Sequence, residues 1–303
     1  MDAEKELMKN KYEITVIIAT YNPQLDKLLA TIDSIITQKD IEEQLIIADD
    51  GSKENHFSVV DGYLKSNNFF AYKLLALESN KGTVSNIMNA IRNSEGYYVK
   101  GISPGDMLYG EYALKGWIDG IRASGKRWSF CDVSYYCMDN GARVSVKGQR
   151  HPRILWPYIK DNEVQCRKNY LIHGDNANGA GILCETKLMA DYLDKISGKI
   201  KYAEDNIFRL MMWDGITPYY HAKEAVLYEY GEGISTSSNK HWEDILKKEW
   251  DIVTNMFVSE VASDKLQMHI QKRCNNQNLL FSRIRNFMWY RLNLIIDRYC
   301  SAR

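Results

Sequence analysis

Between residues 12 and 106 the chain switches repeatedly between two hydrophobic periods. Ile14-Thr15-Val16-Ile17-Ile18-Ala19-Thr20 is β-branched and apolar almost throughout, the pattern of a parallel strand buried on both faces. Leu25, Leu28, Leu29, Ile32, Ile35 and Ile36 then recur at helical spacing, which places them on one face of a helix. Leu45-Ile46-Ile47-Ala48 predicts a second strand, stopped by Asp49-Asp50-Gly51-Ser52, and a helix around Phe57, Val60, Tyr63 and Leu64 follows. Residues 72–77 read as a third strand, 83–93 as a third helix and 97–102 as a fourth strand. Strands alternating with helices at this spacing imply right-handed crossovers and an α/β fold with a mostly parallel, doubly wound sheet.

After about residue 128 the texture changes. Residues 128–138 are strand-like, Asn140-Gly141 is a hairpin-turn signal, and residues 143–146 return as its partner. Residues 148–180, rich in Gly, Asn, Pro and charge, read as loops of the kind that cover a site. Helical periodicity returns over 185–197, 204–213 and 241–261, where Trp242, Ile245, Leu246, Val253, Met256, Phe257 and Val261 share a face.

The 303 residues carry 39 Lys plus Arg and 39 Asp plus Glu, a net charge of zero, which argues against a generally basic nucleic-acid binder. Zero is a cancellation. Residues 272–303 hold Lys272, Arg273, Arg283, Arg285, Arg291, Arg298 and Arg303 against Asp297 alone, so the tail is +6 and residues 1–271 are −6. The tail reads either as a helix docked on the protein with arginines at its rim, or as one resting on an anionic membrane surface with its aromatics at the interface. No run approaches the roughly 18 apolar residues of a spanning helix, and the N-terminus has no secretory h-region. Six cysteines without a C-x-x-C pair suit reduced, buried thiols. The expected location is the cytoplasm, with the inner face of a membrane as the alternative.

Ligands of open α/β sheets bind beyond the carboxyl ends of the strands. The residues there are Thr20-Tyr21-Asn22-Pro23, Asp49-Asp50-Gly51-Ser52, Glu78-Ser79-Asn80-Lys81-Gly82 and Ser103-Pro104-Gly105-Asp106. Neither a dinucleotide fingerprint nor a P-loop is present. This succession of motifs, followed by Asn178-Gly179-Ala180-Gly181 and Glu204-Asp205, resembles the family 2 glycosyltransferases, which have the GT-A fold. The resemblance spans roughly residues 12–236. It implies a Rossmann-like GT-A domain over 1–236, with a nucleotide-sugar-binding half at 12–106 and an acceptor half at 107–236, and a C-terminal helical region with a basic aromatic tail at 237–303.

The resemblance also implies an inverting transferase that moves a sugar from a nucleotide diphosphate donor, expected to be UDP-linked, to a glycan, lipid-linked or protein acceptor. Such a donor needs a carboxylate for its base edge, small residues for close approach and positive charge for its phosphates. Asp50, or else Asp49, is the candidate for the base; Thr20, Tyr21 and Asn22 frame it; Asn80, Lys81, Gly82 and Ser103 are further donor-side candidates, and Asn86 or Asn89 lies within reach. Helix capping or plain turns account for the same residues structurally. Asn178, Gly179, Ala180 and Gly181 are the acceptor-side candidates, with His173 and Asp175 nearby. Asp205 is the expected general base, with Glu204 orienting it or binding acceptor. Asp106 is the expected ligand of a divalent cation, Mn²⁺ or Mg²⁺. Here the chain departs from the family's pattern, because Ser103 and Gly105 occupy acidic positions. A His221 ligand is the weaker alternative to a core histidine. The thinned acidic motif keeps a second hypothesis open, a non-catalytic GT-A-like scaffold that binds sugar nucleotide or glycan.

Overall fold

β1 (Tyr12–Thr20) is the hinge of the architecture because both of its faces are covered. A computed structural model of the protein describes residues 10–234, 239–276 and 280–300. The N-terminal residues 1–9, the expected boundary at 236–237 and Arg303 lie outside the described residues. Ile17 faces one hydrophobic cluster, with Ile46 and Val99. Ile14, Val16 and Ile18 face a second, with Leu45 and Ile47. Two covered faces explain why these segments are apolar without alternation.

β1 pairs in parallel with β2 (Glu43–Asp49) on one side and β4 (Gly96–Ile102) on the other, and β2 pairs in parallel with β3 (Tyr72–Ala76). The joining helices are α1 (Leu25–Ile36), α2 (Phe57–Ser66) and α3 (Thr83–Arg92), each within a residue of its predicted span where one was given. Leu28, Ile32 and Ile35 of α1 are fully buried, as their spacing requires. After β5 (Met107–Leu108) and α4 (Ala113–Ser124) the sheet continues with β6 (Trp128–Asp139), β7 (Ala142–Ser145), β8 (Ile182–Glu185) and β9 (Tyr219–Glu229). The order is β3-β2-β1-β4-β8-β6-β9-β5, with β7 paired to β6, in one nine-stranded sheet. The fold is α/β, with a parallel first half and a mixed second half in which β8 runs antiparallel to both β4 and β6.

Residues 148–180 are more ordered than their composition suggests. They contain α5 (Trp156–Ile159) and α6 (Glu163–His173). α6 escapes periodicity because its inward face is partly polar: Arg167 is buried and donates to the carbonyls of Met212 and Trp213. Its ends were legible, with Asn162 accepting the Gln165 N–H and Gly174 closing the helix at φ +63°. α7 (Thr186–Ile196) and α8 (Ile207–Trp213) close one layer, followed by α9 (Lys240–Val258), α10 (Lys265–Asn275) and α11 (Leu280–Cys300). Val261 lies beyond α9 and is 95% exposed, so it leaves the face expected for it.

The single acid of the tail is an anchor. Asp297 accepts the N–H groups of Leu155 at 2.6 Å and Trp156 at 2.8 Å, and pairs with Arg150 at 2.5 Å. Asn293 accepts from the Trp156 indole, and Trp289 stacks on His173 at 4.3 Å between ring centroids. The other side of α11 is apolar and exposed: Phe281, Ile284, Met288, Leu292, Ile295 and Tyr299 recur at intervals of three and four residues. The helix is thus amphipathic in reverse, with polar anchors inward and an apolar stripe outward. Among the described residues no helix is long and apolar enough to cross a membrane.

His221 stacks on Trp117 in the core. Burial pushes both His221 and His173 down to about 4, with Lys223 adding to the effect at His221. Their folded-state values lie below the ordinary 6.5, so the stability each confers is complete above pH 6.5 and is lost as pH falls toward 4. Urea unfolding at pH 7.5 and pH 4.5 should show His221→Phe and His173→Phe each removing about 2 kcal/mol of the wild-type loss between those conditions. An unchanged pH dependence would refute the assignment.

Candidate functional site

A cleft of about 650 Å³ opens at the carboxyl ends of β1 and β4. Thr20, Tyr21, Asn22, Asp50, Ser103 and Asp106 line it from the donor-side half, and Asn178, Gly179, Ala180, Glu204 and Asp205 from the other. Two stretches separated by about seventy residues thus meet. Asp49, Asn80, Lys81, Gly82 and Gly181 are not in the lining.

The donor-side strand ends are tied together by carboxylates. Asp49 accepts the Thr20 hydroxyl at 3.0 Å, the Ser52 N–H at 2.8 Å and the Ser52 hydroxyl at 2.5 Å, so its side chain is spent inside the fold. The Ser52 hydroxyl oxygen in turn accepts the Asn22 N–H, and Asn22 Oδ1 accepts from Lys53 N–H. Asp50 accepts the N–H groups of Lys81 at 2.7 Å and Gly82 at 2.9 Å, one on each oxygen. Each of those oxygens keeps a second lone pair for a ligand. Gly82 packs against residue 201 instead of facing the cleft: a Cβ there would lie 2.6 Å from the Lys201 carbonyl oxygen, and its φ is +91°. The Lys81 side chain is exposed.

Asn86 is a cleft residue, while Asn89 is not. Its Nδ2 donates to the Ala48 carbonyl at 2.7 Å, and its buried Oδ1 has no partner in the protein. Asn176 Oδ1, also on the cleft, shares that property. An unsatisfied buried acceptor costs about 1–3 kcal/mol, which a donating group of a ligand recovers. His173 and Asp175, considered for the acceptor, serve the fold: His173 holds Trp289, and Asp175 accepts the N–H groups of Arg153 and Ile154.

The loop at 178–181 rests on a lysine that sequence reasoning passed over. Lys100, fully buried in β4, donates to the Ala180 carbonyl at 2.5 Å and the Gly101 carbonyl at 3.0 Å, and burial pushes its pKa down to about 8. A lysine inside an otherwise apolar strand was the available signal. Asn178 Oδ1 accepts the Ala180 N–H, and a Cβ at Gly181 would lie 2.7 Å from Val133 Cγ2, so that glycine is a packing requirement.

Glu204 and Asp205 form the 3-10 turn Glu204–Asn206 ahead of α8. A Cβ at Gly179 would sit 3.8 Å from Asp205 Oδ2, which puts the candidate base beside the acceptor loop. Burial and the charge of Asp205 push Glu204 up to about 8. Asp205 is also raised by the protein packed around it, although its side chain opens to solvent, while the Arg209 guanidinium pulls it back. The two carboxyls titrate as one pair, in which the Arg209 guanidinium favours the anion on Asp205.

Glu249 of α9 sets this turn in place. Its carboxylate accepts the Lys201 N–H at 2.8 Å, the Tyr202 N–H at 3.1 Å and the Ala203 N–H at 2.7 Å. The Lys201 carbonyl meanwhile accepts from Val84 N–H at 3.0 Å. Its position between Leu246 and Val253, on the apolar face of α9, was the overlooked signal.

The residues at 103–106 do not fit a family-type cation site. Ser103 and Gly105 offer no carboxylate, and Asp106 Oδ1 accepts the Glu229 N–H at 2.9 Å. Among the described residues no three His, Cys, Asp or Glu side chains gather as ligands. His221 is likewise no ligand, being packed in the core.

Glu249→Ala should lower unfolding free energy by about 3 kcal/mol, because the buried Ala203 N–H and the partly buried N–H groups of Lys201 and Tyr202 lose a charged acceptor, and Glu249→Gln by less. Denaturant melts measure both. A Glu249→Ala variant as stable as wild type would show that the turn holds itself.

No curated protein matches the sequence. Among solved structures, S. aureus TarS 1–349 in complex with UDP is similar at a TM-score of 0.60 and 16% identity, covering 91% of this chain and 74% of that one. S. aureus TarS 1–349 in complex with UDP-GlcNAc is similar at 0.58 and 18%, covering 91% and 75%. At such identities the likeness is one of fold. Residues 15–174, more than half of the chain, match the model of the family described as glycosyl transferase family 2. The chain belongs to that family and is a glycosyltransferase.

Proposed function

We propose that the protein transfers a sugar from a UDP-sugar to a hydroxyl of a glycan, lipid-linked or protein acceptor, with inversion at the anomeric carbon and Asp205 as general base. The observation that carries this is the meeting of Thr20–Asn22 and Asp50 with Asn178–Ala180 and Asp205 around one cleft. The similar TarS structures hold UDP and UDP-GlcNAc, which favours uridine as the base. In the proposed step the acceptor oxygen bonds to the anomeric carbon and its proton passes to Asp205. The bond from that carbon to the diphosphate breaks, and its electron pair leaves on the phosphate oxygen. The division into a donor half at 12–106 and an acceptor half at 107–236 belongs to the same proposal. The Mn²⁺ or Mg²⁺ implied by the resemblance has no step here, because the donor set at 103–106 does not fit it.

The test is release of UDP from a panel of UDP-sugars with candidate acceptors. Asp205→Asn should reduce kcat by about 10²–10⁴-fold, the span that positioned proton transfer supplies. Because the pKa of Asp205 is raised above 3.8 and the base must be ionised, kcat/KM should rise with pH through a limb above the ordinary aspartate range. Full activity in Asp205→Asn would remove it from the role.

The proposal extends to an anionic membrane surface as the working place of α11. Its outward apolar stripe, flanked by the exposed Arg291 and Arg298, matches the chemistry of an interfacial helix. Co-sedimentation should show binding to phosphatidylserine vesicles that weakens with salt and falls at least about tenfold in a Met288→Ser, Leu292→Ser variant. Equal recovery with anionic and zwitterionic vesicles would overturn it.

A further inference from the structure

A nucleoside diphosphate leaving the anomeric carbon gathers negative charge and requires a cation beside it. The turn where the family pattern places several acids has Asp106 alone, its Oδ1 already accepting the Glu229 N–H, and it has no room for a second at position 105. Gly105 holds φ +102°, and a Cβ there would lie 2.2 Å from Glu229 Oε2. The space of the missing acidic side chain is filled by the carboxylate of a residue from β9.

That carboxylate holds an ammonium. Lys27 Nζ, in the first turn of α1, donates to Glu229 Oε1 at 2.7 Å, and Glu232 Oε2 lies 3.6 Å away. Lys27 is the one basic side chain lining the cleft among the described residues. Its Cδ is 3.5 Å from the Cβ position of Gly105. One helical turn on, Thr31 Oγ1 donates to the Asp106 carbonyl at 2.8 Å and accepts the Gly105 N–H at 3.0 Å. Helix and turn therefore move together, and the ammonium keeps a fixed distance from Ser103–Asp106. An ammonium has three N–H bonds. Glu229 takes one at close range, which leaves donors for phosphate oxygens. Burial alone would lower the Lys27 pKa, but the Glu229 and Glu232 carboxylates outweigh it and hold it above 10.5, so the group is a cation at neutral pH.

We propose that Lys27 supplies the counter-charge for the donor diphosphate where the family resemblance implies a divalent cation, with Glu229 as the residue that positions its ammonium. This rests on the UDP-sugar site argued above.

Calorimetric titration of uridine and UDP in EDTA separates the two ideas. Wild type should bind UDP without metal and more tightly than uridine. Lys27→Met should weaken UDP by at least about tenfold, as expected for loss of a charge-assisted contact, while leaving uridine unchanged; Lys27→Arg should retain most of the UDP affinity. A Lys27→Met, Glu229→Gln variant, which removes the buried charge left behind, should show the same selective loss if the fold is intact by circular dichroism. Wild-type UDP affinity in Lys27→Met, or UDP binding that appears only with Mn²⁺, would overturn the role of Lys27. Failure of wild type to bind uridine or UDP with or without Mn²⁺ would overturn the UDP site itself, and the role of Lys27 with it.

Discussion

The cleft depends on one kind of contact, a buried carboxylate receiving backbone N–H groups from a distant loop. Glu249 is the chief instance. Its two oxygens take the N–H groups of three consecutive residues just before Glu204, so α9, well beyond the family-matched 15–174, sets where the candidate base stands. Asp50 does the same for residues 81 and 82 across the β2 end. A carboxylate–amide bond is about twice as strong as a neutral one and directional. Loops with few apolar side chains can therefore be fixed to ångström precision without a core of their own.

The same device explains which parts of the site were legible in the sequence. Strand and helix periods placed the elements of the N-terminal half well, because β1, β2 and α1 have strong apolar patterns and their packing follows from area alone. The roles of individual acids were harder. Asp49, Asp50, Asp106, Asp175, Glu249 and Asp297 all accept backbone N–H groups, and a sequence does not distinguish an acid that ties a loop from one that faces a ligand. Asp49 and Asp50 are adjacent, yet only the second lines the cleft. Lys100 was hidden for the opposite reason: it is a polar residue inside an apolar strand, and its partner, the Ala180 carbonyl of another segment, exists only after folding.

The electrostatics follow from this arrangement. Glu204 is half-buried beside Asp205, whose side chain opens to solvent, and Arg209, lying 3.4 Å over the Trp250 ring, favours ionisation of Asp205. The two carboxyls therefore titrate as a pair. Across the cleft, the Lys27 ammonium lies 2.7 Å from Glu229 and 3.6 Å from Glu232, one cation between two carboxylates.

The contact between Gly105 and Glu229 also constrains how this sequence can change. An aspartate at position 105 would place its Cβ against the Glu229 carboxylate and would hold a backbone at φ +102°, so the substitution is unfavourable while Glu229 remains. Removing Glu229 alone strips Lys27 of its 2.7 Å partner. Exchanging both residues would relieve the clash but would still leave residue 105 at a positive φ and Lys27 without Glu229. Positions 27, 105 and 229 are therefore coupled through one packed contact, and a substitution at any of them is felt at the other two.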